Sequence, residues 1–202
     1  MVEAPSEFLI TSTDWVGYQK IREALWNTGV RITYARGRIQ LMAPSPRHGK
    51  RKSLAGMLLE QFMLERGIDF EVGGSTTFQD QAADQGLEPD ECYWIGSFAA
   101  TRGQEDEVPR PDLVIEVEVS RTAMDRLPLF ARMGVPELWR FTRTQELRIY
   151  QLVDGTYRER PSSPTFPELC LSQFQRHMAM GRQEGASRAL RSWRGWLTQP
   201  DP

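Results

Sequence analysis

The sequence predicts an α+β protein with a central mixed β-sheet flanked by helices. Three observations carry that expectation. Two short apolar runs bearing carboxylates, L-E-P-D-E-C-Y-W-I (87–95) and P-D-L-V-I-E-V-E-V-S (111–120), have strand length, and the second alternates in the manner of a strand. Apolar residues recur at helical spacing near 15–26, 47–66 and 183–197. The elements read in the order helix, hairpin, helix, carboxylate-bearing hairpin, helix, strands, without a strict βαβ repeat.

Composition sets the bounds. The chain has 202 residues, 40% hydrophobic and 26% charged, which suits one soluble domain spanning 1–202. The formal charge of −2 and a pI near 5.8 provide no global basic field, so any nucleic-acid contact must come from a local patch. Two cysteines, Cys92 and Cys170, and two histidines, His48 and His177, exclude the usual Cys/His zinc site and a disulfide framework. There is no signal peptide and no membrane-length apolar run, so a cytoplasmic location without membrane contact is expected.

Taken in order, residues 1–10 read as a loose lead-in, and Asp14 or its neighbours cap a helix from Trp15 to Trp26. Strands V-R-I-T-Y and R-I-Q-L-M meet at Ala35-Arg36-Gly37. The loop A-P-S-P-R-H leads into a helix over 47–66, with Gly67 as its stop. His48, Lys50, Arg51 and Lys52 crowd its first turns, where cations oppose the helix dipole and a bound anion offsets them. These four are the candidate nucleic-acid contacts, and Lys50, Arg51, Lys52 and Arg126 are expected to border one concave surface. Strands I-D-F-E-V and T-T-F-Q precede the carboxylate hairpin. Pro128 is awkward inside a helix over Ala123–Met133 and favours a start near Leu127, with Gly134 closing it. E-L-W-R-F, L-R-I-Y-Q-L and T-Y-R-E-R follow as strands, the last two around Asp154-Gly155. A Pro/Ser-rich connector (161–167), a weak helix near Leu171–Met178 and a final helix over 183–197 end the chain.

Alternation places Leu113, Ile115, Val117 and Val119 on one strand face, and Asp112, Val114, Glu116, Glu118 and Ser120 on the other. Three carboxylates on an apolar strand require compensation by solvent, a basic partner or a metal. Same-face neighbours are about 6–7 Å apart, so Asp112 and Glu116 do not grip one ion, and Asp112 reads as a residue that starts the strand. Glu116 and Glu118 are close enough to share a site through water. Asp90 offers a better second ligand to Glu116, because the two runs can pair as an antiparallel hairpin. Glu118 also has Arg121 and Arg126 as candidate ion-pair partners. Cys92 reads as a small core residue, and no nucleophile elbow or triad pattern is present.

The stretches L-M-A-P-S-P-R-H, G-L-E-P-D-E-C-Y-W-I, R-P-D-L-V-I-E-V-E-V-S and R-L-P-L-F-A-R-M-G-V-P-E-L-W, with the following Y-x-L and F-P-E-L, resemble the Uma2-type family of endonucleases over roughly residues 30–175. That family lies in the PD-(D/E)XK, restriction-endonuclease-like superfamily. The resemblance implies a Mg²⁺-dependent hydrolysis of DNA phosphodiesters, with Mn²⁺ as an alternative ion and a homodimer as the assembly. By the same resemblance Asp90 and Glu116 are metal ligands, and Asp90, Glu116, Glu118 and Arg126 form the catalytic set. Glu118 stands where the signature carries Lys, and Arg126 on the following helix supplies the positive charge. His48 matches the family's histidine. The alternative is a nuclease-fold module with decayed catalysis that binds nucleic acid or a protein.

Overall fold

Among the residues the computed structural model describes, 7–96, 108–118 and 124–199, the strands form two sheets. The expected features at Val119, Ser120, Arg121 and Ala123 lie outside these residues. The first sheet has the order β1-β3-β2-β6-β5, built from β1 (Glu7–Thr11), β2 (Arg31–Ala35), β3 (Arg38–Met42), β5 (Phe78–Asp80) and β6 (Gln85–Leu87). The second has the order β11-β10-β9-β8-β7-β4, built from β4 (Phe70–Val72), β7 (Glu91–Ile95), β8 (Leu113–Val117), β9 (Glu137–Phe141), β10 (Leu147–Val153) and β11 (Thr156–Arg160). The second sheet is mixed: β8 runs antiparallel to β7 and parallel to β9. The helices are α1 (Trp15–Ala24), α2 (Pro46–Glu65), α3 (Leu127–Met133), α4 (Leu171–Glu184) and α5 (Ala186–Leu197). None is long and apolar enough to cross a membrane.

Local chemistry accounts for most boundaries. Asp14 caps α1 by accepting from the Gly17 N–H at 2.8 Å. Ser45 caps α2, accepting from the His48 N–H, with Pro46 in the first turn. Arg36-Gly37 and Asp154-Gly155, all at positive φ, close the two tight hairpins. Pro128 sits in the first turn of α3, so that helix starts at Leu127, and Gly134 ends it at φ 75°.

Several expectations need correction. The lead-in contains β1, which pairs along its whole length with β3. The weak helix is the full α4, and the last helix begins at Ala186 because Gly185 at φ 93° separates the two. The 87–95 run is not one strand. Pro89 cannot donate to a ladder, and the chain leaves the first sheet after Leu87 and joins the second at Glu91.

Strand alternation decides what lies on each side of the second sheet. Leu113, Ile115, Val117, Trp139 and Phe141 join the core against α2, α4 and α5, with Leu58, Phe62, Phe174 and Trp193. Val114 and Leu138 face the opposite way, towards Phe78, Trp94, Leu129 and Phe130. Trp139 and Trp193 are fully buried, whereas Trp196, stacked on Trp193, is half-buried. Cys92 is also fully buried, and burial pushes its thiol up to about 12, which suits a core residue rather than a nucleophile.

Candidate active site

Pairing of β7 with β8 sets Glu91 opposite Ile115, which brings Asp90 beside Glu116 one step further along. The two acids engage each other's strands. The Asp90 N–H donates to Glu116 Oε1 at 3.1 Å, and the Val117 N–H donates to Asp90 Oδ2 at 2.6 Å. Asp90 is 2% exposed and Glu116 9%. Buried carboxylates require partners, and each has one from another element. Arg31 on β2 pairs with Asp90 Oδ1 and also donates to the Pro89 carbonyl at 3.2 Å. Arg126, at the start of α3, pairs with Glu116 Oε2 at 3.0 Å and donates to the Glu88 carbonyl.

His48 stands over the same pair. The Ser45 cap fixes the first turn of α2, and His48 Nε2 lies 2.8 Å from Asp90 Oδ2. An ionised carboxylate only accepts, so Nε2 is the donor. His48 Nδ1 is buried without a hydrogen-bond partner. Burial alone would raise the Asp90 carboxyl, but the His48 hydrogen bond and the Arg31 charge outweigh it and hold it below the usual range. Glu116 goes the other way. Burial raises it, the Arg126 charge opposes that, and the neighbouring Asp90 charge adds to the rise.

Glu118 has a partner that was not expected, and of the two that were, Arg121 lies outside the described residues. Glu118 pairs with Arg140 on β9, whose Nε donates to Glu118 Oε1 at 2.6 Å. The parallel β8–β9 register places Arg140 opposite Glu116, within reach of the residue two further on, whereas Arg126 is already engaged by Glu116. Asp112 stands at the far end of β8, where its Oδ2 accepts from the Ile95 N–H at 2.7 Å.

The expected shared basic surface does not form. Arg126 lines the cavity at the carboxylates, but Lys50, Arg51 and Lys52 do not. Three consecutive helical residues point about 100° apart. Lys50 is exposed, Arg51 turns inward to donate to the Glu118 carbonyl at 2.9 Å, and Lys52 pairs with Glu91 at 3.1 Å. Arg31 and Arg140 line the cavity instead. An arginine at the head of β2 and another inside the apolar run E-L-W-R-F are the sequence signals for them.

The cavity holds about 60 Å³, room for a cation with a few waters. No three of the described His, Cys, Asp and Glu residues gather into a metal cage. Two carboxylates, completed by water and substrate phosphate, are nevertheless the usual protein share of a Mg²⁺ site, and all-oxygen donors select hard ions. In type and number Asp90 and Glu116 fit such an ion. Arg31 and Arg126 hold oxygens that it would use.

The fold is the mixed-sheet α+β fold of nuclease-fold proteins, and it sets Asp90, just before β7, beside Glu116 on β8. The Uma2 family model, described as "Putative restriction endonuclease", matches residues 16–180, and the chain belongs to that family. A crystal structure described as a putative nuclease belonging to DUF820, from Anabaena variabilis, shares the fold. It matches with a TM-score of 0.52 and 16% identity, covering 81% of this chain and 90% of its own. No curated protein matches the sequence.

Proposed function

We propose that the protein is an endonuclease that hydrolyses DNA phosphodiester bonds with Mg²⁺, or Mn²⁺, held by Asp90 and Glu116. The observation that supports this best is the buried pair itself, two acids from neighbouring strands in a cavity bordered by Arg31, Arg126 and Arg140. When bound, such an ion polarises the phosphate and favours ionisation of water. The chain's own groups do the rest. His48 and Arg31 orient Asp90. Arg126 meets the charge that develops on the phosphate; it remains protonated, so it is no base. The attacking water gives its proton to Glu118, whose position Arg140 fixes, or to solvent. Lys50 and Lys52 contact the DNA backbone from outside the cavity, and Arg51 braces the end of β8 through the Glu118 carbonyl.

A homodimer belongs to the same proposal. With Trp139 and Trp193 buried, the apolar area falls to the half-buried Trp196 on α5 and to β1, a sheet edge where Phe8 is 65% exposed. Light scattering at high micromolar concentration checks it, and a monomer there removes it.

Plasmid nicking tests the activity. Wild type with Mg²⁺ or Mn²⁺ should convert supercoiled DNA to nicked circles, and Glu116→Gln should not. One specific feature favours the alternative, a binding module with decayed catalysis: both acids already have guanidinium partners, and Glu118 replaces the signature lysine. Binding without nicking under either ion would select it.

A further inference from the structure

Glu118 and Arg140 line the carboxylate cavity and also a neighbouring one of about 300 Å³, together with Arg143, Thr144 and Arg148. Thr144 in turn belongs to a third cavity, of about 470 Å³, where the β9–β10 turn faces α4 and the walls include Arg51, Gln175 and Arg182. The three hollows are thus neighbours in series, each sharing lining residues with the next.

Arginines mark that path at each stage. Arg140 is held by Glu118, and Arg148 by Glu146 at 3.0 Å. Glu146, the acid in the third cavity's wall, is thereby committed to Arg148. Arg143 and Arg182 are exposed and have no ion-pair partner among the described residues; the same is true of Arg47 on α2. Arg51 is 7% exposed and donates to the Glu118 and Thr142 carbonyls at 2.9 and 3.5 Å, which ties this region to the end of β8. Burial, and then the charges of Arg47 and Arg182, hold its guanidinium below the usual range. Exposed cations whose neighbouring acids are already paired are left uncompensated, and a polyanion relieves that.

We propose that the β9–β10 turn and α4 form a track for a phosphodiester backbone, running from the carboxylate cavity past Arg143 to Arg182. The proposal rests on the nuclease reading for its ligand class. To the contacts at Lys50 and Lys52 it adds a strand path that leaves over Arg143 and Arg182.

The test is anisotropy with fluorescein-labelled DNA of about 20 nucleotides, single-stranded and duplex, in EDTA across a salt series. Wild type should bind at least one form, with affinity falling steeply as salt rises. Arg143→Glu/Arg182→Glu should weaken binding at least about tenfold and flatten the log–log salt slope by about two. Arg38→Glu/Arg191→Glu changes net charge equally at exposed arginines that line none of the three cavities, and should stay within about twofold of wild type. If the track variant melts below wild type, Arg143→Gln/Arg182→Gln replaces it. The proposal is overturned if the track variant binds like wild type, if both variants weaken equally, or if wild type binds neither form. Wild type that binds by this track but does not nick keeps the track and removes the nuclease. Nicking by wild type with unchanged binding in the track variant removes the track alone.

Discussion

Arg31 and Asp90 come from different sheets and meet as an ion pair, buried at the acid end. The pair joins the first residue of β2 to the residue that precedes β7. Removing one partner leaves the other charge buried, and Arg31→Met should cost about 2–4 kcal/mol in chemical denaturation. It also frees one Asp90 oxygen, so Mn²⁺ should raise the melting temperature of this variant more than that of wild type. An equal metal response in both would show that Arg31 does not compete for the ion.

Metal binding should stabilise the fold by mass action, with about 2.7 kcal/mol at a hundredfold excess over Kd. Wild type should therefore melt higher in Mg²⁺ or Mn²⁺. Glu116→Gln should lose most of that rise, and Glu118→Gln less, because Glu118 is committed to Arg140. No shift with either ion in wild type would remove the cation site.

Glu118→Lys restores the signature residue, but in this chain it sets a cation against Arg140. It should destabilise by about 1–2 kcal/mol. The exchange Glu118→Lys/Arg140→Glu should recover most of the loss, and a double-mutant cycle from thermal melts measures the coupling. Additive losses would mean that the pair contributes nothing.

Glu116 makes stability depend on pH. Burial, against the pull of Arg126, pushes its carboxyl from an ordinary 4.5 up to about 7. The folded protein then holds that proton more tightly than the unfolded chain does. The stabilisation is complete below about 4.5 and is lost as pH rises through about 7. Asp90, held below its usual range, contributes with the opposite sign, and its share is lost only in stronger acid. In EDTA the melting temperature of wild type should fall between pH 5 and pH 8, and Glu116→Gln should flatten that fall. A slope that survives the substitution would assign the effect elsewhere.

Glu137 is a buried acid away from the cavity. Its oxygens accept from Trp139 Nε1, the Ser163 hydroxyl and the Thr165 N–H at 2.6, 2.5 and 2.8 Å. Glu137→Ala strands those donors and should cost about 3 kcal/mol. Hydrogen exchange should speed up over 161–167 first, and uniform protection across that connector would contradict the anchoring role.

The sequence carried the local half of this architecture. Period-two alternation separates Ile115 from Glu116, tight-turn residues fix both positive-φ hairpins, and the two acids pair as a strand reading requires. Long-range partners were hidden. Arg31 lies 59 residues from Asp90 in the chain, and Arg140 reaches Glu118 only through a parallel register that no local pattern encodes. Pro89 marked the break in the 87–95 run, but not that the chain changes sheets there. A run of basic residues at a helix start suggested one charged face, which helical geometry then spread over three directions.

The passage between β6 and β7 has a mechanical side. Each of its residues is fastened by its own backbone: Glu88 by Arg126, Pro89 by Arg31 and Asp90 by Glu116. A crossover held at every residue has little slack, so the spacing of the acids is tied to the placement of both sheets. Lengthening it by a single glycine after Glu88 would leave both sheets their own cores while disconnecting that linkage.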